Sequence, residues 1–162
     1  MNDQQLKCLV QHLLANDRVS RILIRPHPKN LWRQLDASIA SHGEGKVFRS
    51  SGSTVDEDIR DLHFVIGGNS SVLIDAVTAG VAGAYVDNLD YGSTDLHGFV
   101  AGGLVPQSTV EPDFDEIFRF YQNPEWQTVL RRFANIDTDE STVPTDALQV
   151  IANLRTKQRI AT

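Results

Sequence analysis

The feature that most restricts the fold of this chain is an alternation. Three short runs, "RILIR", "HFVIGG" and "VAGAYVD", are separated by stretches whose apolar residues recur every three or four positions. Each run is too short for a helix and too continuously apolar for a strand with one wet face. The expectation is a set of strands covered on both sides, as in a parallel sheet. Between and before them, "QQLKCLVQHLLAN" lines up Leu6, Leu9, Val10, Leu13 and Leu14 on one helical face. "NLWRQLDASIASHG" does the same through Leu31, Leu35 and Ile39, with Gly43 placed to stop the helix. "SSVLIDAVTAG" opens on hydroxyl residues that suit helix caps and closes on Gly80. "KVFR" adds a short strand, and "SGSTVDEDIRD" is polar, with room for one helical turn. Strands and helices that alternate over 90 residues with short connections imply crossovers onto a parallel sheet. The predicted class is therefore α/β, a Rossmann-like three-layer sandwich with a mostly parallel sheet.

Beyond residue 90 the pattern changes. "NLDYGSTDLHGFVAGGLVPQS" is glycine-rich and aperiodic, and is expected to be loop, with a short strand at Leu104–Val105. Three helices should close the chain. The first is announced by a capping box, Asp113 with Glu116, ahead of Phe114, Ile117, Phe118 and Tyr121. The second starts at Asn123, Pro124 and Glu125 and carries Trp126, Val129, Leu130 and Phe133. The third, "TDALQVIANLRTKQR", carries Ala147, Val150, Ile151 and Leu154. A single domain over residues 1–162 is expected, with an α/β core at 3–110 and closing helices at 111–162.

Charge and cysteine content narrow the partners. A formal charge of −6 lacks the basic face that nucleic-acid binding requires. No run of about 20 apolar residues is present to cross a membrane, and no signal peptide is recognisable, so the cytoplasm is the default compartment. Cys8, the one cysteine, sits among Leu6, Leu9 and Val10 and is expected to fill core. His12, His42 and His63 lack metal-ligand spacing and are expected to be structural or solvent-exposed, and no metal is expected. The acidic group Asp56, Glu57, Asp58 and Asp61 is expected to be a solvated turn.

Ligands of open α/β sheets bind beyond the carboxyl ends of the strands. Two loops belong to that edge. Arg25-Pro26-His27-Pro28 follows the first strand; the two prolines hold His27 extended, and an imidazole so placed can donate to a phosphate oxygen or act as an acid near neutral pH. Arg25 would add a permanent charge able to grip a phosphate. Gly67-Gly68-Asn69-Ser70-Ser71 follows the strand "HFVI" and opens a helix. Glycines allow close approach to the backbone, amides at the start of a helix attract anions, and serine hydroxyls can donate to the same oxygens. The same serines would equally serve as ordinary caps, and the sequence leaves both roles open. The segment is neither a P-loop nor a three-glycine dinucleotide fingerprint.

These residues carry a resemblance. "R-x-H-P" at a strand end, followed about forty residues later by "G-x-S-S-V-x-x-x-A-x-x-A-G-V", resembles the C-terminal half of GT-B-type glycosyltransferases of bacterial capsule and cell-surface polysaccharide synthesis. The similarity is to polysialyltransferase-like and Kdo-transferase-like enzymes and to CDP-glycerol glycerophosphotransferases, and it covers roughly residues 20–106, including "GFVAGGLV". The resemblance implies that Arg25, His27, Gly68, Asn69, Ser70 and Ser71 hold the phosphate of a nucleotide-activated donor, often a cytidine nucleotide. In it His27 is the catalytic candidate, and Asp75 is a candidate for a donor sugar or ribose contact. It implies no tightly held cofactor, a nucleotide-sugar or CDP-glycerol-type donor as substrate, and work in the cytoplasm or at the inner membrane face. A GT-B enzyme has two such halves, so the saccharide acceptor would be bound by an N-terminal domain or partner chain that these residues do not supply, and the chain alone would have little activity. Two alternatives stand beside this one. One is a nucleotide-sugar 2-epimerase-like domain. The other is a non-catalytic Rossmann-like module that docks a partner through Trp126, Phe133 and the basic "RTKQR" end.

Overall fold

A computed structural model describes residues 2–25, 45–50, 54–90, 92 and 94–133. The expected helix at 31–43, the third closing helix and the loop residues Pro26, His27 and Pro28 lie outside the described residues.

Helix α1 spans Asp3–Ala15, with the Asn2 side chain accepting from the Gln5 amide at its start. Its apolar face buries Leu6, Leu9 and Val10 as the spacing predicts, while Cys8 stands half-buried beside that face rather than in the core. Strand β1, Ile22–Ile24, pairs in parallel with β2, Val47–Arg49. A short helix α2, Val55–Ile59, follows; Thr54 and Glu57 close a reciprocal capping box that the sequence analysis did not recognise. Strand β3, Phe64–Gly67, leads through the glycine–serine turn into α3, Val72–Thr78, and back into β4, Ala82–Val86, parallel to β3 with Phe64 opposite Ala82. The chain is thus α/β, with helices on parallel two- and three-stranded sheets in a Rossmann-like layout.

Residues of β3 and β4 point alternately to two faces, and each face has its own cover. On one, Val65 and Tyr85 join Leu73, Ala76 and Val77 of α3 in a core that also takes Leu104, Val105, Trp126 and Leu130. On the other, Val86 meets Ile22, Ile24 and the buried face of α1, and Ile66 packs against them. The third strand of the larger sheet, β5, is Gln107–Ser108, parallel to β4 with Tyr85 opposite Gln107. The strand expected at Leu104–Val105 is displaced by three residues. Leu104 and Val105 instead form a tight turn, their amides donating to the Phe99 carbonyl, and both side chains are fully buried.

The closing helices seen are α4, Phe114–Tyr121, and α5, Trp126–Phe133. The Asp113 carboxylate caps α4 by accepting from the Asp115 and Glu116 amides. Phe64 of β3 meets Phe114 and Phe118 edge-on. Trp126 is 3% exposed, and its indole nitrogen donates to the Leu104 carbonyl at 2.8 Å. Phe133 packs edge-on against Phe99, and a β-carbon on Gly102 would stand 2.4 Å from the Phe133 ring. Gly102 therefore lets this loop lie against α5. Trp126 is committed to the core, and Phe133 packs half-buried at its margin.

Candidate functional site

The turn between β3 and α3 is built by its own backbone. Gly67 and Gly68 are buried, the Ser70 amide donates back to the Gly68 carbonyl at 2.8 Å, and the Leu73 and Ile74 amides reach the Ser70 and Ser71 carbonyls. Of the two serines, only Ser70 contributes to capping, through a long 3.4 Å bond from the Val72 amide to its Oγ. Ser71 holds the N-cap position with helical backbone angles (φ −59°, ψ −17°), makes no side-chain capping bond and is exposed. The expectation that both hydroxyls cap the helix holds for the first alone.

What the sequence analysis missed is a carboxylate at this turn. Asp90, in the loop after β4, accepts from the Asn69 amide through Oδ2 at 2.7 Å. A β-carbon on Gly68 would lie 2.6 Å from Asp90 Oδ1 and 2.8 Å from Oδ2. Gly68 thus has an internal reason to be glycine: it lets the Asp90 carboxylate reach the backbone. The Asn69 side chain is used as well, its Oδ1 accepting from the Leu96 amide at 2.8 Å. Asn69 therefore ties the β3 turn to the loop after β4. Farther along that loop Asp95 accepts from the amides of Phe99, Val100 and Ala101, which shapes the start of "GFVAGGLV". Tyr85, at the end of β4, is 1% exposed; burial first, then the nearby charges of Asp87 and Asp90, push its hydroxyl above the ordinary tyrosine value.

Arg25, at the end of β1, also has a carboxylate. It is ion-paired with Asp58 of α2, and the same Nη1 donates to Ser50 Oγ and to the Thr54 carbonyl. The Ser50 hydroxyl donates to Asp58 in turn. Asp58, expected in a solvated turn, has a side chain only 10% exposed. The reason is geometric: α2 carries it to the end of β1, where the guanidinium compensates its burial. The link closes the ends of β1, β2 and α2 on one another.

Asp75 is half-buried on α3. Burial raises its carboxyl above the ordinary value, and the charge of Asp56 on α2 raises it further. The charge that acts on it is thus that of another acid. A group whose folded-state pKa is raised favours the fold below the carboxylate's ordinary value, and that contribution is lost as pH climbs through the range in which it ionises. Asp75→Asn is expected to raise the thermal midpoint slightly at pH 7 and to leave it unchanged near pH 3. A drop at pH 7 would show that the ionised carboxylate has a favourable partner instead.

His27 lies outside the described residues, so its position relative to the Gly68–Ser71 turn is outside this geometry. His12 donates from Nδ1 to the Cys8 carbonyl and pairs through Nε2 with Glu111 at 3.0 Å, on the surface. His97, not weighed in the sequence, stacks on Phe99 with ring centroids 5.0 Å apart. Among the described residues no cluster of three or more histidine, cysteine or acidic side chains is set to hold a metal ion, and no helix is long and apolar enough to cross a membrane. Beside β5 and α4 a groove of about 760 Å³ is lined by Gln107, Thr109, Glu116 and Arg119, away from the glycine–serine turn. Neither protein-family models, nor curated proteins, nor solved structures give a match to this chain.

Proposed function

We propose that the chain is the donor-binding half of a GT-B-type glycosyltransferase or glycerophosphotransferase of bacterial surface-polysaccharide synthesis. The observation that carries this proposal is Ser71: a hydroxyl at the N-cap position that does no capping and faces outward, at the carboxyl end of a parallel strand. Beside it the glycine–serine motif and the "R-x-H-P" strand end keep the spacing that carries the resemblance. In the full enzyme an acceptor oxygen would form its bond to the donor's anomeric carbon or phosphorus as the bond to the nucleotide breaks. Ser70, Ser71 and His27 would stabilise the charge gathering on the departing phosphate. The carboxylates now seated at the turn and on Arg25 set a condition. A donor phosphate approaches beside Asp90 and Asp58, so the hydroxyls and the imidazole, rather than the Asn69 amide, are the groups left to receive it.

The test is titration of the full chain with CMP, CDP and UDP, followed by backbone amide shifts. Shifts centred on residues 68–71 and 25–27 are expected. Ser70→Ala combined with Ser71→Ala should abolish them while moving the thermal midpoint by no more than a few degrees, because the one capping bond present is long. Absence of any shift at millimolar nucleotide overturns the proposal; unfolding of the double variant would make the serines structural.

A further inference from the structure

Three buried polar atoms at the carboxyl ends of β3 and β4 have no hydrogen-bond partner among the described residues: Asn69 Nδ2, the Tyr85 hydroxyl and Asp90 Oδ1. Buried donors and acceptors left unmade are costly, and folded proteins normally fill such places with water or ligand. The three belong together. Asp90 holds the Asn69 backbone amide through Oδ2, which keeps its other oxygen beside the same turn. The Tyr85 hydroxyl neighbours the side chains of Asn69 and Asp87 and feels the charges of Asp87 and Asp90. Tyr85 itself is fixed, 1% exposed, with its ring in the core.

The chemistry of these atoms selects the occupant. The Asn69 amide cannot be turned over, because its Oδ1 already accepts from the Leu96 amide; its NH2 end is therefore the buried, unpaired donor and asks for an acceptor. Asp90 Oδ1 asks for a donor. A metal cation would face the NH2 group unfavourably, and a phosphate or carboxylate would face Asp90 unfavourably. A hydroxyl oxygen accepts and donates at once and suits both, with the Tyr85 hydroxyl able to play either part. At Gly92 the cover over the amide is bare backbone, and a β-carbon there would stand 3.3 Å from Asn69 Nδ2.

We propose that Asn69, Tyr85 and Asp90 form a subsite for a ligand hydroxyl, of the kind carried by a ribose or by a transferred sugar or glycerol unit. This rests on the donor-binding proposal above and adds the residues that select the hydroxyl-bearing part of the donor. A site built to hydrogen-bond a hydroxyl discriminates against an analogue lacking it, because its own polar groups are then left unpaired.

The experiment is calorimetric titration of the full chain with CDP, 2′-deoxy-CDP, 3′-deoxy-CDP and CDP-glycerol. The deoxy pair probes the ribose; CDP against CDP-glycerol probes the transferred unit. In the wild type, the ligand that carries the seated hydroxyl is expected to bind about tenfold more tightly than its partner without it. In Tyr85→Phe, and independently in Asp90→Asn, that difference should shrink below twofold, with a thermal transition confirming that each variant is folded. A tenfold difference that persists in both variants overturns the subsite. So does a wild type that binds all four ligands equally, which leaves water as the only occupant. A wild type that binds none of them overturns the donor-binding proposal instead. The subsite is then decided with free ribose and glycerol: shifts of the Asn69, Gly92 and Leu96 amides support it, and their absence overturns it.

Discussion

Leu73→Ala is expected to destabilise the fold by about 4 kcal/mol, toward the upper end of large-to-small core substitutions. Leu73 is completely buried, but its location matters more than its burial. It sits in the first turn of α3, over two glycines of the sheet. A β-carbon on Gly67 would stand 3.3 Å from Leu73 Cγ, and one on Gly83 would stand 3.5 Å from Leu73 Cδ2. The side chains missing from β3 and β4 are in effect replaced by this one leucine, which lets α3 lie close to the strands. Removing it opens a void floored by glycine backbone, and the cost of such a cavity grows with the volume that fails to collapse. In thermal unfolding the midpoint should fall by roughly 8–16 °C for a chain of this length. A loss under about 1.5 kcal/mol would mean that α3 settles onto the sheet and closes the gap. The companion substitution Gly83→Ala meets only ordinary van der Waals distances, 3.5 Å and beyond, and tests whether the space belongs to Leu73.

The layers and most elements were legible in the sequence, because they are set by local patterns. The continuous apolar runs became β1, β3 and β4, the three-and-four spacing of Leu6, Leu9 and Val10 became the buried face of α1, and Asp113 capped α4. Three of the errors share a cause: each involves a partner distant in the chain. β5 is two residues long, polar and partly exposed, so nothing in its composition marks it; its place follows from the Tyr85 amide donating to the Pro106 carbonyl. Asp58 looked like one acid among several in a polar turn, yet its partner Arg25 lies 33 positions earlier. Asp90 was passed over within a glycine-rich loop, although it reaches back 21 positions to the Asn69 amide.

At the candidate site this difference changes the chemistry. Gly68 and Arg25 were singled out because such groups attract anions, and the fold agrees to the extent that each has drawn in a carboxylate of its own. A glycine beside a helix start and an arginine at a strand end are therefore insufficient, as sequence signals, to distinguish a site for an external anion from one already answered internally. What separates the two is a polar group that no internal partner has claimed: the exposed Ser71 hydroxyl, which caps nothing, is such a group for the proposed phosphate, whereas the trio at Asn69, Tyr85 and Asp90, with its carboxylate, suits a hydroxyl rather than an anion.

Tyr121→Phe should cost about 2–3 kcal/mol although it removes a single oxygen. At the level of Gly83, β4 has β3 on one side, while β5 begins only opposite Tyr85. The Tyr121 hydroxyl fills the missing rung: it donates to the Gly83 carbonyl at 2.7 Å and accepts from the Gly83 amide at 3.1 Å. It acts there as a one-atom strand, held in place by edge-on contacts of its ring with Phe120 and Trp126. Phenylalanine would keep the ring and leave both backbone groups unpaired, each costing about 1–3 kcal/mol where water cannot reach it fully. The substitution also has a pH signature. Burial raises the Tyr121 hydroxyl far above its ordinary value of 10.0, the Gly83 amide lowering it only in part. The folded state therefore holds this proton more tightly than the unfolded chain does, so its contribution is complete below pH 10 and is lost as pH rises beyond. The wild type should lose stability between pH 10 and 11.5 more steeply than Tyr121→Phe, narrowing the gap between them, in chemical denaturation followed by circular dichroism. A gap that stays constant across that interval would show that Tyr121 ionises in the fold as readily as in the unfolded chain, and that its hydroxyl is not what closes the edge of β4.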